Sequence, residues 1–358
     1  MIAKILGVTA VACAIAAPAM ADNASRRPDT DPPLILSAQA DTNTAPSFDP
    51  RAEQLAGRSP REPRPQYTPR ISLDVSGGFD ALWLPKVAPA FDIQRDGIGS
   101  TPGRVNAAGL DFKLNIPAPF GFLPGSRDPH FELEAGLIRG NRTANTEVPG
   151  FVDIFALNGS SSLLFGGSSS QPSISSQLSF SQNRGDFLLA SKYDPCGVPV
   201  KVEMGVGYER DEEDHNFASL NQNQLSSAFR MNDHVDNDYY SAILGATAYK
   251  RIGAGFSVSA GVDVRLGVAH SSLTGMQMLN TQDFTASASR TAFGAEMGAK
   301  IGVSYRVTSY FDLGIEGIYR YKSEIGRAVY PSILGTDLRL SGDSAQSASL
   351  QFKGRASF

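Results

Sequence analysis

The residues from Gln346 to Phe358 alternate without interruption. Ala348, Leu350, Phe352, Gly354, Ala356 and Phe358 share one parity, and Ser349, Gln351, Lys353, Arg355 and Ser357 share the other. Successive side chains of a strand point to opposite faces, so this stretch is a strand with one small or apolar face and one charged face. The same period of two recurs upstream. Ile71, Leu73, Val75, Phe79, Ala81 and Trp83 oppose Ser72, Asp74, Ser76 and Asp80. Further strands are read at Ala108–Ile116, Phe131–Leu137, Phe187–Tyr193, Val200–Tyr208, Tyr239–Lys250, Phe256–Val268, Phe293–Tyr305 and Phe311–Tyr321.

A strand of about ten residues with one apolar and one polar face suits a barrel that crosses a membrane, apolar side to lipid. A water-soluble sandwich would turn the same apolar faces inward. Long polar connections alternate with short Pro/Gly turns, and Trp83 ends its strand where an interfacial aromatic belt would place it. The expectation is an all-β fold over residues 70–358: an antiparallel transmembrane β-barrel of about ten strands. A strand pair hidden in the Ser/Gly-rich stretch from Gly140 to Arg184, read as one long outer loop, would make twelve. The Glu209–Asn237 stretch is read as a second polar loop. No stretch after the leader approaches eighteen apolar residues, so helical spans are excluded.

The last strand, ending at Phe358, resembles the C-terminal strand by which Gram-negative outer-membrane β-barrels are recognised for assembly. It departs from that pattern at Ala356, where the family usually has a second aromatic. The resemblance implies a porin-like or small surface-protein barrel in the cell outer membrane. It also implies outer-membrane lipid and lipopolysaccharide as surroundings, and the barrel-assembly machinery as a partner.

At the other end, Lys4 precedes an apolar run from Ile5 to Ala17, and Ala19-Met20-Ala21 offers a cleavage site, so residues 1–21 read as a signal peptide. Nine prolines interrupt residues 22–69, which are otherwise rich in Asp, Asn, Thr, Arg and Ala, and this segment reads as a disordered periplasmic leader. Without Lys4 the chain keeps 31 basic and 36 acidic residues, a net charge of −5 that argues against a nucleic-acid partner. Cys196 is then alone, and no intramolecular disulfide can form.

By parity the inward face carries Asp111, Lys113, Glu132, Glu134, Lys201, Glu203, Asp263, Arg265, Glu296, Lys300, Asp312, Glu316, Arg320, Lys353 and Arg355, with Asp74 beside them. Lipid rejects such residues, by roughly 2–4 kcal/mol for Lys or Arg at the midplane, so their placement follows from the fold. They serve equally as the lining of a narrow pore for small solutes or ions, or as a network that fills the lumen of a structural membrane protein. Adhesion through the outer loops is the binding-class alternative.

Enzyme readings rest on histidines. Asp214-His215 and Asp233-His234 are similar to the Asp and His pairing at the outer rim of omptin proteases, yet the second Asp pair that omptins need has no counterpart here. His270 and Ser272 share a face, like the His-x-Ser of outer-membrane phospholipases and lipid A deacylases. That resemblance makes them candidate base and nucleophile for a lipid-acting hydrolase. Their third, orienting group is missing from the adjoining sequence, so the chain is not read as an enzyme. The acidic run Asp211 to Asp214 lacks the spacing of a calcium loop, and no metal or cofactor is expected.

Overall fold

The computed structural model describes residues 71–91, 97–120, 125–148, 151–158, 162–166, 173–220, 229–253, 255–279, 281–331 and 338–358. The leader read at 1–21 and the segment 22–69 lie outside them. Ten strands close into a ring: β1 (Ser72–Trp83), β4 (Arg104–Pro117), β5 (Arg127–Glu147), β8 (Ser173–Tyr193), β9 (Val200–Leu220), β10 (Phe229–Gly253), β11 (Phe256–Leu279), β12 (Gln282–Arg306), β13 (Phe311–Val329) and β14 (Arg339–Ser357). All neighbours are antiparallel, and β1 closes the ring by pairing with both β4 and β14. Four short strands, β2 (Ala90–Phe91), β3 (Gly97–Ile98), β6 (Phe151–Phe155) and β7 (Ser162–Gly166), form a separate small sheet from the loops at one end.

Lower parts of the strands behave as the alternation requires. Phe79, Phe112, Val206, Leu244, Leu266, Met297, Ile301, Ile315 and Phe352 are exposed on the outside. Aromatic residues edge this band: Tyr208 packs in a tilted arrangement against Tyr240 at a centroid distance of 5.0 Å at its upper limit, and Phe256 against Tyr305 at 4.7 Å at its lower one. An apolar exterior closed into a ring, with every ladder satisfied, is the β solution for crossing a bilayer.

The strands do not stop at the membrane. β10 has 25 residues, about 80 Å at the usual strand rise, against a hydrocarbon core of about 30 Å. The Glu209–Asn237 stretch read as a polar loop is therefore mostly wall, and the Gly140–Arg184 stretch contributes wall at both of its ends. β9 runs on to Leu220 and β10 begins at Phe229, so Asp214, His215, Asp233 and His234 sit on paired strands. β5 extends to Glu147 and β8 starts at Ser173, leaving the short hairpin β6–β7 as the inserted pair; it joins the small sheet and the ring stays at ten. His270, expected beyond a strand end, lies inside β11.

Above the upper aromatic row the faces exchange roles. On β10 the outward side chains change from Ala242 and Leu244 to Asp238, Asp236 and His234, while Val235, Met231 and Phe229 turn inward. These join Ile154, Leu157, Ile174, Phe217, Leu273, Leu279, Tyr330 and Leu338 in an apolar core inside the projecting wall. A second cluster, including Leu82, Leu84, Val105, Leu178, Phe180 and Ile325, lies beneath it. β6 enters the core from above: Leu157 donates its N–H to Gln277 Oε1 at 2.9 Å, and Leu338 donates to the Leu157 carbonyl at 3.0 Å.

One seam of the wall parts. β12 and β13 pair from Arg306↔Asp312 up to Glu296↔Lys322 and no further. At that point β13 has a register shift, and Glu324 takes a φ of 62°, a left-handed conformation uncommon outside glycine. The bulge turns the upper β13–β14 hairpin inward. Gly326 donates its N–H to Asn237 Oδ1 at 3.0 Å, and Ile325, Ala328 and Tyr330 enter the apolar clusters.

Candidate functional site: the barrel interior and the outer wall

Of the fifteen residues read as lining the lumen, most are bonded to one another or to neighbouring polar groups. Lys113 contacts Glu132 at 2.6 Å and Glu134 at 2.5 Å. Lys201 joins Glu132 at 3.1 Å and Glu203 at 2.5 Å, and Lys300 reaches Glu203 at 3.3 Å. Higher up, Arg265 grips Asp186 through two hydrogen bonds of 2.9 and 2.6 Å, and Arg320 holds Glu296 at 2.5 Å. Lys353 pairs with Glu316, and near the lower mouth Arg355 makes a bidentate contact of 2.6 Å with Asp74 and Arg306 meets Asp312 at 3.3 Å. Asp111 accepts from the Gln351 amide at 2.7 Å. Arg184, Asp186, Glu209, Asp211 and Lys322 belong to the same network and were not among the expected residues, apart from the parity of Glu209. Lys322 bonds both Glu209 and Asp211 at 2.6 Å.

A recurring local device fits these chains into a narrow ring. Asp111, Asp186, Glu203, Asp233 and Asp263 stand opposite Gly136, Gly207, Gly245, Gly275 and Gly298 in register. A Cβ on any of those glycines would come within 2.3 to 2.7 Å of the carboxylate oxygen. Each acid leans over the neighbouring strand into space that only glycine leaves. Asp186, Glu203 and Asp263 packed this way have cationic partners, and removing one partner leaves the other uncompensated; Asp111 and Asp233 are held by the Gln351 amide and the Tyr330 hydroxyl instead. A cavity remains between this network and the lower apolar cluster, edged by Asp80, Asp111, Glu134, Arg184, Arg320 and Gln351.

The projecting wall splits its two Asp-His dipeptides between its faces. Antiparallel register sets Asp214 opposite His234 on the outside and His215 opposite Asp233 on the inside. Outside, His234 Nδ1 meets Asp214 at 2.7 Å and its Nε2 meets Asp236 at 3.2 Å; the hydrogen bond that the imidazole donates to the Asp214 carboxylate raises it above its usual range. Inside, buried His215 meets Glu213 at 3.2 Å, and Tyr330 donates its hydroxyl to Asp233. Burial pushes the Asp233 carboxyl up to about 6, against the hydrogen bond from Tyr330. Neither pair faces a cleft shared with the other.

His270 and Ser272 both face outward just above the Tyr240–Val268–Phe293 row. His270 Nδ1 bonds Thr291 Oγ1 at 2.9 Å. Asp238 lies opposite His270, yet it accepts from the Tyr208 hydroxyl at 2.6 Å, and Ser272 is opposite Asp236. Two residues along a strand separate side chains by about 7 Å, and among the described residues no hydrogen bond joins His270 to Ser272. No described group of three or more His, Cys, Asp or Glu is arranged to hold a metal ion.

No family model and no curated protein matches the chain. Several solved structures resemble it at low identity. The outer membrane protease OmpT from Escherichia coli is 12% identical with a TM-score of 0.44, over 81% of this chain and 98% of that one. Neisserial surface protein A is 11% identical with a TM-score of 0.22, over 81% and 98%. An anion-selective porin from Comamonas acidovorans is 10% identical with a TM-score of 0.21, over 80% and 98%. At such scores they carry no statement of activity. The closed ten-strand ring, its outward apolar band and its charged interior make this chain a transmembrane β-barrel.

Proposed function

We propose that this barrel is a sealed structural base that holds an interaction surface outside the cell, and that it does not act as a diffusion pore. The observation that carries the reading is the apolar core inside the projecting wall. Ile154, Leu157, Phe217, Phe229, Met231, Leu273 and Leu338 fill the axis along which a solute would travel. A buried apolar cluster among the described residues of the wall disfavours an aqueous path there. Below them the inward charges neutralise one another in pairs, which supports a filled lumen over a lining. The length of β9 to β12 also favours the exterior, since a pore needs strands only as long as the bilayer is thick.

The test is single-channel conductance of the refolded full chain in a planar bilayer. A silent barrel is expected, and it should remain silent when Glu296 is changed to Lys. A steady current whose ion selectivity follows Glu296→Lys would overturn the proposal and establish the pore. The interaction arm is tested by binding of cells that display the barrel to immobilised extracellular proteins; no gain over cells lacking it would remove that arm.

A further inference from the structure

We infer that the upper edge of β12 is a docking site for an extended peptide with apolar side chains at alternate positions, added as a further antiparallel strand. Above Glu296, β12 keeps its ladder to β11 through Gln282↔Leu279, while its other edge pairs with no described strand. The last groups before the gap show which way the free ones point. Ala295 donates its N–H to Ser323 Oγ at 2.9 Å, and its carbonyl accepts from the same hydroxyl at 3.1 Å. A serine side chain thus stands in for the ladder where it ends. By the alternation of strand hydrogen bonding, the odd residues above it turn N–H and C=O to the open edge, and the even residues bond β11.

Open edges in stable proteins are blunted by Pro, Lys or bulges. Gln282–Ser289 contains no Pro, Lys or Arg and its pairing with β11 shows no bulge; nearer the ladder's end Arg290 turns inward and bridges the gap through a 2.6 Å ion pair with Glu324. Its inward row, Phe284, Ala286 and Ala288, packs against the apolar core together with Leu340 of β14, yet stays half-buried; the corresponding Leu273 and Leu279 of β11 are fully buried. The in-turned hairpin has left that apolar floor partly uncovered. A strand added here would rest alternate side chains on the floor and point the others outward beside Thr285, Ser287, Ser289 and Thr291. Main-chain bonds supply affinity and the floor selects the pattern, as in strand-addition recognition generally. A second copy in the same membrane presents its β12 in parallel, which suits this edge less well.

This names the partner chemistry of the proposed interaction surface and rests on that reading for its role, but it is tested in detergent without a bilayer. The probe is a fluorescein-labelled ten-residue peptide of alternating Val and Thr, compared with a peptide of the same composition in two blocks. Saturable binding of the alternating peptide is expected, with the block peptide at least about tenfold weaker. Ser287→Pro with Thr291→Pro removes edge-facing N–H groups and spares the β11 ladder; Ala286→Asp leaves the backbone and spoils the floor. Each should weaken binding about tenfold while the barrel still resists SDS. Equal binding of both peptides, or binding indifferent to both variants, overturns the site. So does a stable dimer on sedimentation that the proline pair dissociates, which would assign the edge to a second copy. A conducting barrel would refute the sealed-base reading and leave these binding results standing.

Discussion

The membrane band and the projecting wall are made from the same strands and are built inside out relative to each other. In the band, the outside is apolar and the inside is charged. In the wall, the outside carries Arg210, Glu212, Asp214, His234 and Asp236, and the inside carries Phe217, Phe229, Val235 and Leu273. The solvent explains both. Lipid outside the band admits only apolar chains, so charge must turn inward and be paired; water outside the wall restores the ordinary hydrophobic arrangement. A single strand crosses the boundary within two residues, at Tyr240 and Asp238. Topology differs too: the band is a closed ring, while the wall is open between β12 and β13 and is closed by packing.

Breaking the band should cost most. Asp186→Leu strands Arg265, which is 3% exposed, and should destabilise the barrel by about 3–5 kcal/mol in urea titrations of the folded protein in micelles. Leu157→Ala attacks the wall, with a cost of about 2–5 kcal/mol. Its effect should stay local, speeding amide exchange around Gln277 and Leu338 while the band keeps its SDS resistance. Charge on the outer face sharpens the boundary: Leu244→Arg should cost roughly 2–4 kcal/mol, whereas Asn232→Arg, also outward but beyond Tyr240, should be neutral in the same titration.

Asp233 gives the wall a pH dependence. Its folded value of about 6 lies above the ordinary 3.8, so folding favours the protonated form. The stability it contributes is complete below pH 3.8 and is lost as pH rises through 6, an effect on the order of 3 kcal/mol at most. Asp233→Asn should therefore stabilise the wall at pH 7.5 and flatten the profile. The smallest effect belongs to the exposed His234–Asp214 pair, whose removal by His234→Ala should cost under about 1 kcal/mol, and only at pH low enough to charge the imidazole.

This contrast also explains what was legible in the sequence. Ring, strand count, outward band and inward charges are all read from one alternation of apolar and polar residues, and the structure agrees on the ring, the strand count and the outward band. Phe229, Met231 and Val235 alternate just as regularly, but with parity opposite to Ala242 and Leu244, so the two halves of β10 read as different segments. Between them, Asp233 to Asp238 is polar on both faces apart from Val235, and looks like a loop. Asp211, Asp186 and Arg184 were missed for the same reason. The glycines opposite the acids carry no signal until register is known, since each pair joins different strands. His270 and Ser272 were correctly placed on one face, but the engagement of Asp238 with Tyr208 depends on a neighbour that sequence does not supply.

The bidentate bond between Asp74 and Arg355 lies on the seam where the first strand meets the last, 281 residues apart. A slip of one residue there would turn the inward side chains of β1, Asp74 and Asp80 among them, toward lipid, which the bilayer forbids. A slip of two keeps the faces correct and sets Asp74 against Lys353, still an opposite charge, so backbone and lipid alone would tolerate it. What distinguishes the right alignment is geometry: a guanidinium can clasp both carboxylate oxygens and an ammonium cannot. The seam's alignment is thus favoured by the shape of one contact as well as by its charge. Replacing Arg355 by Lys would leave the charge and erase the shape.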